Sequence, residues 1–137
     1  MKKTIAGVIA AAALVFAVPA QAAPEGNFLV SGTFENGAPL QYTWSVTGCG
    51  DGCVTVHVLP NGWTQNFTFD AANWVGHLEN GTMPCMGAAA GQRSGPVNLD
   101  YVINPAFSGG SETVSFQGGF TCGAPQTATH QLTLAPA

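Results

Sequence analysis

Trp44-Ser45-Val46-Thr47-Gly48-Cys49-Gly50-Asp51-Gly52-Cys53-Val54-Thr55-Val56-His57-Val58 is the stretch that decides the fold. Two runs alternate apolar and polar residues, the signature of half-buried strands, around a glycine-rich turn closed by cysteines. Taking Gly50-Asp51-Gly52 as a three-residue loop, with glycine supplying the left-handed backbone, sets Cys49 opposite Cys53, Val46 opposite Val56 and Trp44 opposite Val58. Thr47 then meets Thr55 and Ser45 meets His57 on the other face. A one-residue slip would carry every side chain through the sheet and mix the two faces, so the pattern specifies this register against that error. Opposed strand residues have Cα atoms ~4.5–5.5 Å apart, within reach of a disulfide. The geometry therefore favours a local Cys49–Cys53 bridge over bonding elsewhere or metal ligation.

The alternation continues outward. Phe28, Val30, Gly32 and Phe34 form a first strand ending at Glu35-Asn36-Gly37, and Leu40 to Thr47 leads into the central hairpin. Val54 to Leu59 leaves it and reaches Pro60-Asn61-Gly62-Trp63. A two-residue Asn61-Gly62 turn pairs Val58 with Gln65, Val56 with Phe67 and Val54 with Phe69. Asp70 to Asn73 turns the chain so that Phe69 faces Trp74 and Phe67 faces Gly76, and Asn80-Gly81 is expected to close the strand Trp74 to Glu79. Gly81 to Gly95 breaks the rhythm and reads as one long irregular connection. Val97, Leu99, Tyr101 and Ile103 point one way on the next strand. Thr113 to Thr121, bent or bulged at Gly118-Gly119, and His130 to Leu134 follow. Helical periodicity is absent. The expectation is all-β: an antiparallel meander of about eight strands forming a small barrel or a sandwich.

The N-terminus reads as an export signal. Met-Lys-Lys precedes an apolar run from Ile5 to Val18 and an Ala20-Gln21-Ala22 cleavage motif. The run is shorter than the ~20 residues of a membrane span. Residues 1–22 are thus expected to be removed, leaving 23–137 as a single secreted or cell-envelope β-domain with no stable membrane anchor. That domain keeps Arg93 as its only strong base against seven carboxylates, a formal charge of about −6. No basic patch exists for nucleic acid or anionic lipid.

Cys49, Cys53, Cys85 and Cys122 all follow the signal, so the even count reads as two disulfides formed outside the cytoplasm. Of the connectivities open to four cysteines, Cys49–Cys53 with Cys85–Cys122 is favoured. The C-x-x-x-C spacing on a hairpin fits zinc poorly.

The stretch Trp44 to Cys53, with Trp74, Cys85, Asn104-Pro105-Ala106-Phe107-Ser108-Gly109, Cys122-Gly123 and Leu132-Thr133-Leu134, resembles small secreted proteins of mycobacteria. The Cys-Gly-x-Gly-Cys hairpin is the most specific part. The resemblance implies export and two disulfides and carries over no catalytic or binding residue.

Candidate chemistry is sparse. The expected registers line up Ser45, His57, Asn66 and His77 across neighbouring strands of the polar face. The histidines stand too far apart for easy joint metal ligation, and no carboxylate is expected in that row to orient an imidazole. His130 is in phase with Leu132 and Leu134, Asp100 and Glu112 stand alone on their strands, and Glu35 belongs to a turn. Trp63 lies at the rim beside a turn, where an indole can stack on a ligand or simply edge the core. Motifs for acyl transfer, zinc hydrolysis or phosphate binding are missing. The reading is a non-catalytic binding or surface-interaction module for a small molecule or an envelope or protein partner. His57, Asn66, His77 and Trp63 are its candidate contacts, with no catalytic residue, metal or cofactor assigned. The alternatives are an enzyme using Ser45, His57 and His77, or a secreted protein inhibitor.

Overall fold

The computed structural model describes residues 23–35, 37–59, 62–85, 94–117 and 126–137. Eight strands run in sequence order: β1 (Gly26–Thr33), β2 (Pro39–Gly50), β3 (Cys53–Leu59), β4 (Thr64–Phe69), β5 (Trp74–Pro84), β6 (Ser94–Ile103), β7 (Gly109–Phe116) and β8 (Gln126–Pro136). Each pairs antiparallel with the next, and β8 returns to β1 through Val30↔Leu134 and Gly32↔Leu132, closing a barrel rather than a sandwich. Closure removes the exposed edges that an open meander would leave. The expected export signal and the Cys122 half of the second bridge lie outside the described residues, as do Gly118, Gly119 and Phe120.

The alternating apolar positions fill the interior. Trp44, Val54, Phe67, Trp74, Leu99 and Ile103 are fully buried. The rings of Trp44, Phe67 and Tyr101 pack together with centroids 5.3–5.5 Å apart. Phe107, assigned by its sequence to a turn, plugs one end of the barrel. It takes a left-handed φ of 57° and lies 5.1 Å from Phe28 and 6.2–6.4 Å from Trp44, Phe67 and Trp74. Asn104 Oδ1 accepts a hydrogen bond from the Ser108 amide and shapes the loop that delivers it.

The central hairpin keeps the expected Trp44↔Val58, Ser45↔His57, Val46↔Val56 and Thr47↔Thr55 pairs. Its end differs. Gly50 pairs with Cys53, the turn is Asp51-Gly52 with Gly52 at φ 63°, and Cys49 is the extra residue of a bulge. The Cys49–Cys53 disulfide forms nonetheless, across a Cα separation of 5.1 Å. No cysteine among the described residues is free.

Two registers depart from expectation. β3 and β4 pair Val54↔Phe67, Thr55↔Asn66, Val56↔Gln65 and His57↔Thr64, displaced by two residues from the pairing a tight Asn61-Gly62 turn would give. The Val58 amide donates to the Trp63 carbonyl and the Gly62 amide to the Val58 carbonyl, so the connection is longer than two residues. Alternation is blind to this error because a shift of two keeps every side chain on its face.

Asn80-Gly81 likewise does not end a strand. It sits inside β5, where the register shifts between Leu78↔Leu99 and Gly81↔Val97 and Asn80 takes φ 61°. This bulge adds one residue and moves the inward face from even to odd positions, so Gly81, Met83 and Cys85 become buried. Gly81 to Pro84 therefore pair with β6 instead of belonging to an irregular loop.

Candidate functional site

The outer wall carries an open groove of about 500 Å³ across β4, β5 and β6, lined by Asn66, Thr68, Val75, His77, Asp100 and Val102, with Gly76 and Tyr101 beneath. Each outward residue follows from alternation. Trp74 and Tyr101 point inward, so Val75, His77, Asp100 and Val102 point out. Register does the rest: Thr68↔Val75↔Val102 gives the groove an apolar stripe, and His77↔Asp100 sets an imidazole against a carboxylate.

His77 Nδ1 lies 2.6 Å from Asp100 Oδ1 and Nε2 lies 3.2 Å from Glu79 Oε2. Carboxylates only accept, so this geometry requires a proton on each ring nitrogen. The hydrogen bond to Asp100, then that to Glu79, raises the His77 pKa above its ordinary 6.5. The two carboxylates thus favour the protonated form of the ring. A general base of the Ser–His–Asp kind needs its second nitrogen on a hydroxyl, and here that nitrogen meets Glu79.

Of the residues singled out from sequence, Asn66 and His77 share the groove. His57 stands opposite Thr64 and its Nδ1 contacts Thr64 Oγ1 at 2.8 Å, so the β3–β4 register takes it out of the Asn66 row. Asn66 Oδ1 instead accepts from Thr55 Oγ1 at 2.9 Å. Ser45 still faces His57. Trp63 is partly buried against the core and lies over Gly81, where an added Cβ would come within 3.3 Å of its ring. No group of three or more His, Cys, Asp or Glu side chains among the described residues is arranged to hold a metal ion.

The carboxylates read as solitary are in fact partnered. Asp100 supplies the orienting carboxylate that the expected row lacked. Glu112, 1% exposed, points into the barrel. It accepts from Tyr101 Oη at 2.5 Å and meets His130 Nδ1 at 3.0 Å. His130 Nε2 reaches Glu35 Oε1 at 2.9 Å, 95 residues away in sequence. Burial, and then the charge of Glu112, pushes the Tyr42 phenol up to about 12, and the same causes hold Tyr101 well above the usual phenol range. A signal for this cluster was present in the sequence: Glu112 is in phase with Val114 and Phe116, and His130 with Leu132, so titratable groups occupy inward positions of consecutive strands. The Asp100 contact had no such signal, because its register passes through the Asn80 bulge.

No family model matches the chain, and no curated protein or solved structure matches it either.

Proposed function

We propose that this chain is an exported, disulfide-bonded β-barrel that acts as a non-catalytic binding module through its outer wall, with the Asn66–His77–Asp100 groove as the contact surface. One observation carries the reading. Among the described residues, large rings pack the barrel interior, and an open groove of about 500 Å³ on the outer wall is a concave surface offered to a ligand. The groove sets the methyl groups of Val75 and Val102 beside the imidazole of His77 and the carboxylate of Asp100. That combination favours a ligand with an apolar body and hydrogen-bonding polar groups.

Export is supported by the charged, apolar and Ala-x-Ala order of residues 1–22, by the resemblance to small secreted mycobacterial proteins, and by the Cys49–Cys53 bridge. The outer wall is polar along Thr47, Thr55 and Asn66 and along Asp100, Thr113 and Thr129, opposite to the apolar band of a lipid-facing barrel. This supports an aqueous setting after processing.

The test is to purify the exported protein, confirm Ala23 as its first residue by intact mass, and look for co-purifying small molecules by native mass spectrometry. Fractions of the cell envelope are then titrated into isotopically labelled protein. Amide shifts clustered at Thr68, Val75, His77 and Val102, and abolished by His77→Ala with Asp100→Ala, support the groove. Shifts confined to the barrel ends, or a molecule retained inside the barrel, would refute it.

A further inference from the structure

We infer that His130 is a proton-controlled clasp joining Glu35, in the connection after β1, to Glu112 inside the barrel: it closes when the imidazole carries two protons and releases Glu35 to water when it carries one.

The geometry is that of a bridge between two acceptors. Glu112 from β7 and His130 from β8 are cross-strand partners with inward side chains, and His130 is 3% exposed at its side chain. Glu35 stands at the rim, 36% exposed. Its contact with Nε2 at 2.9 Å and that of Glu112 with Nδ1 at 3.0 Å each need a ring N–H. A neutral imidazole has one N–H, so it can satisfy one carboxylate and must turn a lone pair toward the other.

Which contact yields is decided by burial. Glu112 has no route to solvent, and leaving it against a lone pair strands a buried charge. Glu35 can rotate into water at small cost. The single proton of neutral His130 therefore stays on Nδ1, and the Glu35 arm opens.

The other groups around the imidazole do not supply an alternative switch. Tyr101 from β6 donates to the second oxygen of Glu112, and Tyr42 from β2 lies near enough to feel its charge. Burial keeps both phenols protonated well past neutral pH. The Phe34 ring stands edge-on to His130 at 5.4 Å and carries no charge. The hydrogen bond to Glu112, then that to Glu35, raises the His130 pKa above 6.5 against the opposing effect of burial. The clasp is thus closed below the His130 midpoint and opens as pH rises through it.

The experiment is an NMR titration of the processed protein that follows the His130 ring and the Glu35 carboxyl carbon together. His130 is expected to titrate above 6.5, and the Glu35 signal to move with the same midpoint. Glu35→Gln should lower the His130 midpoint by about one unit, the low end of what a contacting opposite charge produces, because this site is part-exposed. Reciprocity then fixes the strength of the clasp: protonation of His130 tightens the Glu35 contact by about tenfold. A wild-type midpoint at or below 6.5, a Glu35 carboxyl that ignores the His130 titration, or an unchanged midpoint in Glu35→Gln would each overturn the inference. The wild-type titration decides the first two without relying on a variant.

Discussion

Replacing Gly76 by alanine tests how tightly the barrel is packed beneath the groove. An ideal Cβ at position 76 would sit 2.6 Å from Cδ1 and Cε1 of Phe67 and 2.9 Å from Cζ. Carbon atoms in contact rest ~3.5–4.0 Å apart, so the ring must retreat by about 1 Å. It has little room. Phe67 is fully buried and is held by Trp44 and Tyr101 at 5.5 Å and by Phe107 at 6.4 Å. Overpacking of this kind costs about 1–3 kcal/mol. Alanine returns about 0.4–1 kcal/mol by restricting the unfolded chain, since Gly76 does not need a left-handed φ. The net expectation is a loss of about 1–2 kcal/mol, or about 5–10 °C in Tm for a domain of this size. Urea unfolding followed by tryptophan fluorescence, with calorimetry alongside, measures it. Phe67→Leu removes the obstructing ring edge, so Gly76→Ala should cost less in that background, and the double-mutant cycle isolates the clash. A Gly76→Ala protein as stable as wild type, or the same cost in both backgrounds, would refute the packing argument. The added methyl points inward, so the groove should keep its ligand in either case.

Phe107→Ala should cost about 3–5 kcal/mol, because it empties the plug that touches Phe28, Trp44, Phe67 and Trp74; a urea midpoint near that of wild type would show the loop aromatic to be dispensable. Cys49→Ser with Cys53→Ser should fold and lose about 2 kcal/mol, the loop entropy of so short a closure, while the Val46↔Val56 and Trp44↔Val58 pairs hold the register; loss of the native strand spectrum would contradict this. His130 has a raised folded-state pKa, so the stability it confers is complete below about pH 6.5 and declines as pH rises through the higher folded value. His130→Gln should flatten that alkaline decline in unfolding free energy measured against pH, and an unchanged slope would place its origin elsewhere.

Much of the barrel was legible before any coordinates. Alternation assigned Trp44, Val46, Val54, Val56, Phe67, Leu99, Tyr101 and Ile103 to the inside, and all of them are buried. The Trp44↔Val58, Ser45↔His57, Val46↔Val56 and Thr47↔Thr55 pairs of the central hairpin and the Phe67↔Gly76 and Phe69↔Trp74 pairs followed from local turn chemistry, whereas the hairpin end did not: a two-residue Asp51-Gly52 turn with a bulge at Cys49 replaces the three-residue Gly-Asp-Gly loop. The site was less legible. Asn66 and His77 were singled out and do share the groove, but Asp100, which completes it, was not. Glu35 and His130 meet only because β8 closes onto β1, which no local pattern announces.

The sequence by itself determined which face the strands bury, apart from β5 beyond Asn80, and the order in which they follow. Both are local: a two-residue period chooses the face, and short connections force neighbours to pair antiparallel. Tertiary structure decided what local periodicity cannot encode. A register shift of two residues leaves every face intact, so only the longer Val58–Trp63 connection and the packing it permits could place Thr64 rather than Asn66 opposite His57. The Asn80 bulge inverts the faces of β5 beyond it, and closure brings Glu35 to His130. A buried carboxylate such as Glu112 is tolerated only where the assembled barrel supplies it with an imidazole and a phenol, and those partners exist only once all the strands are in place.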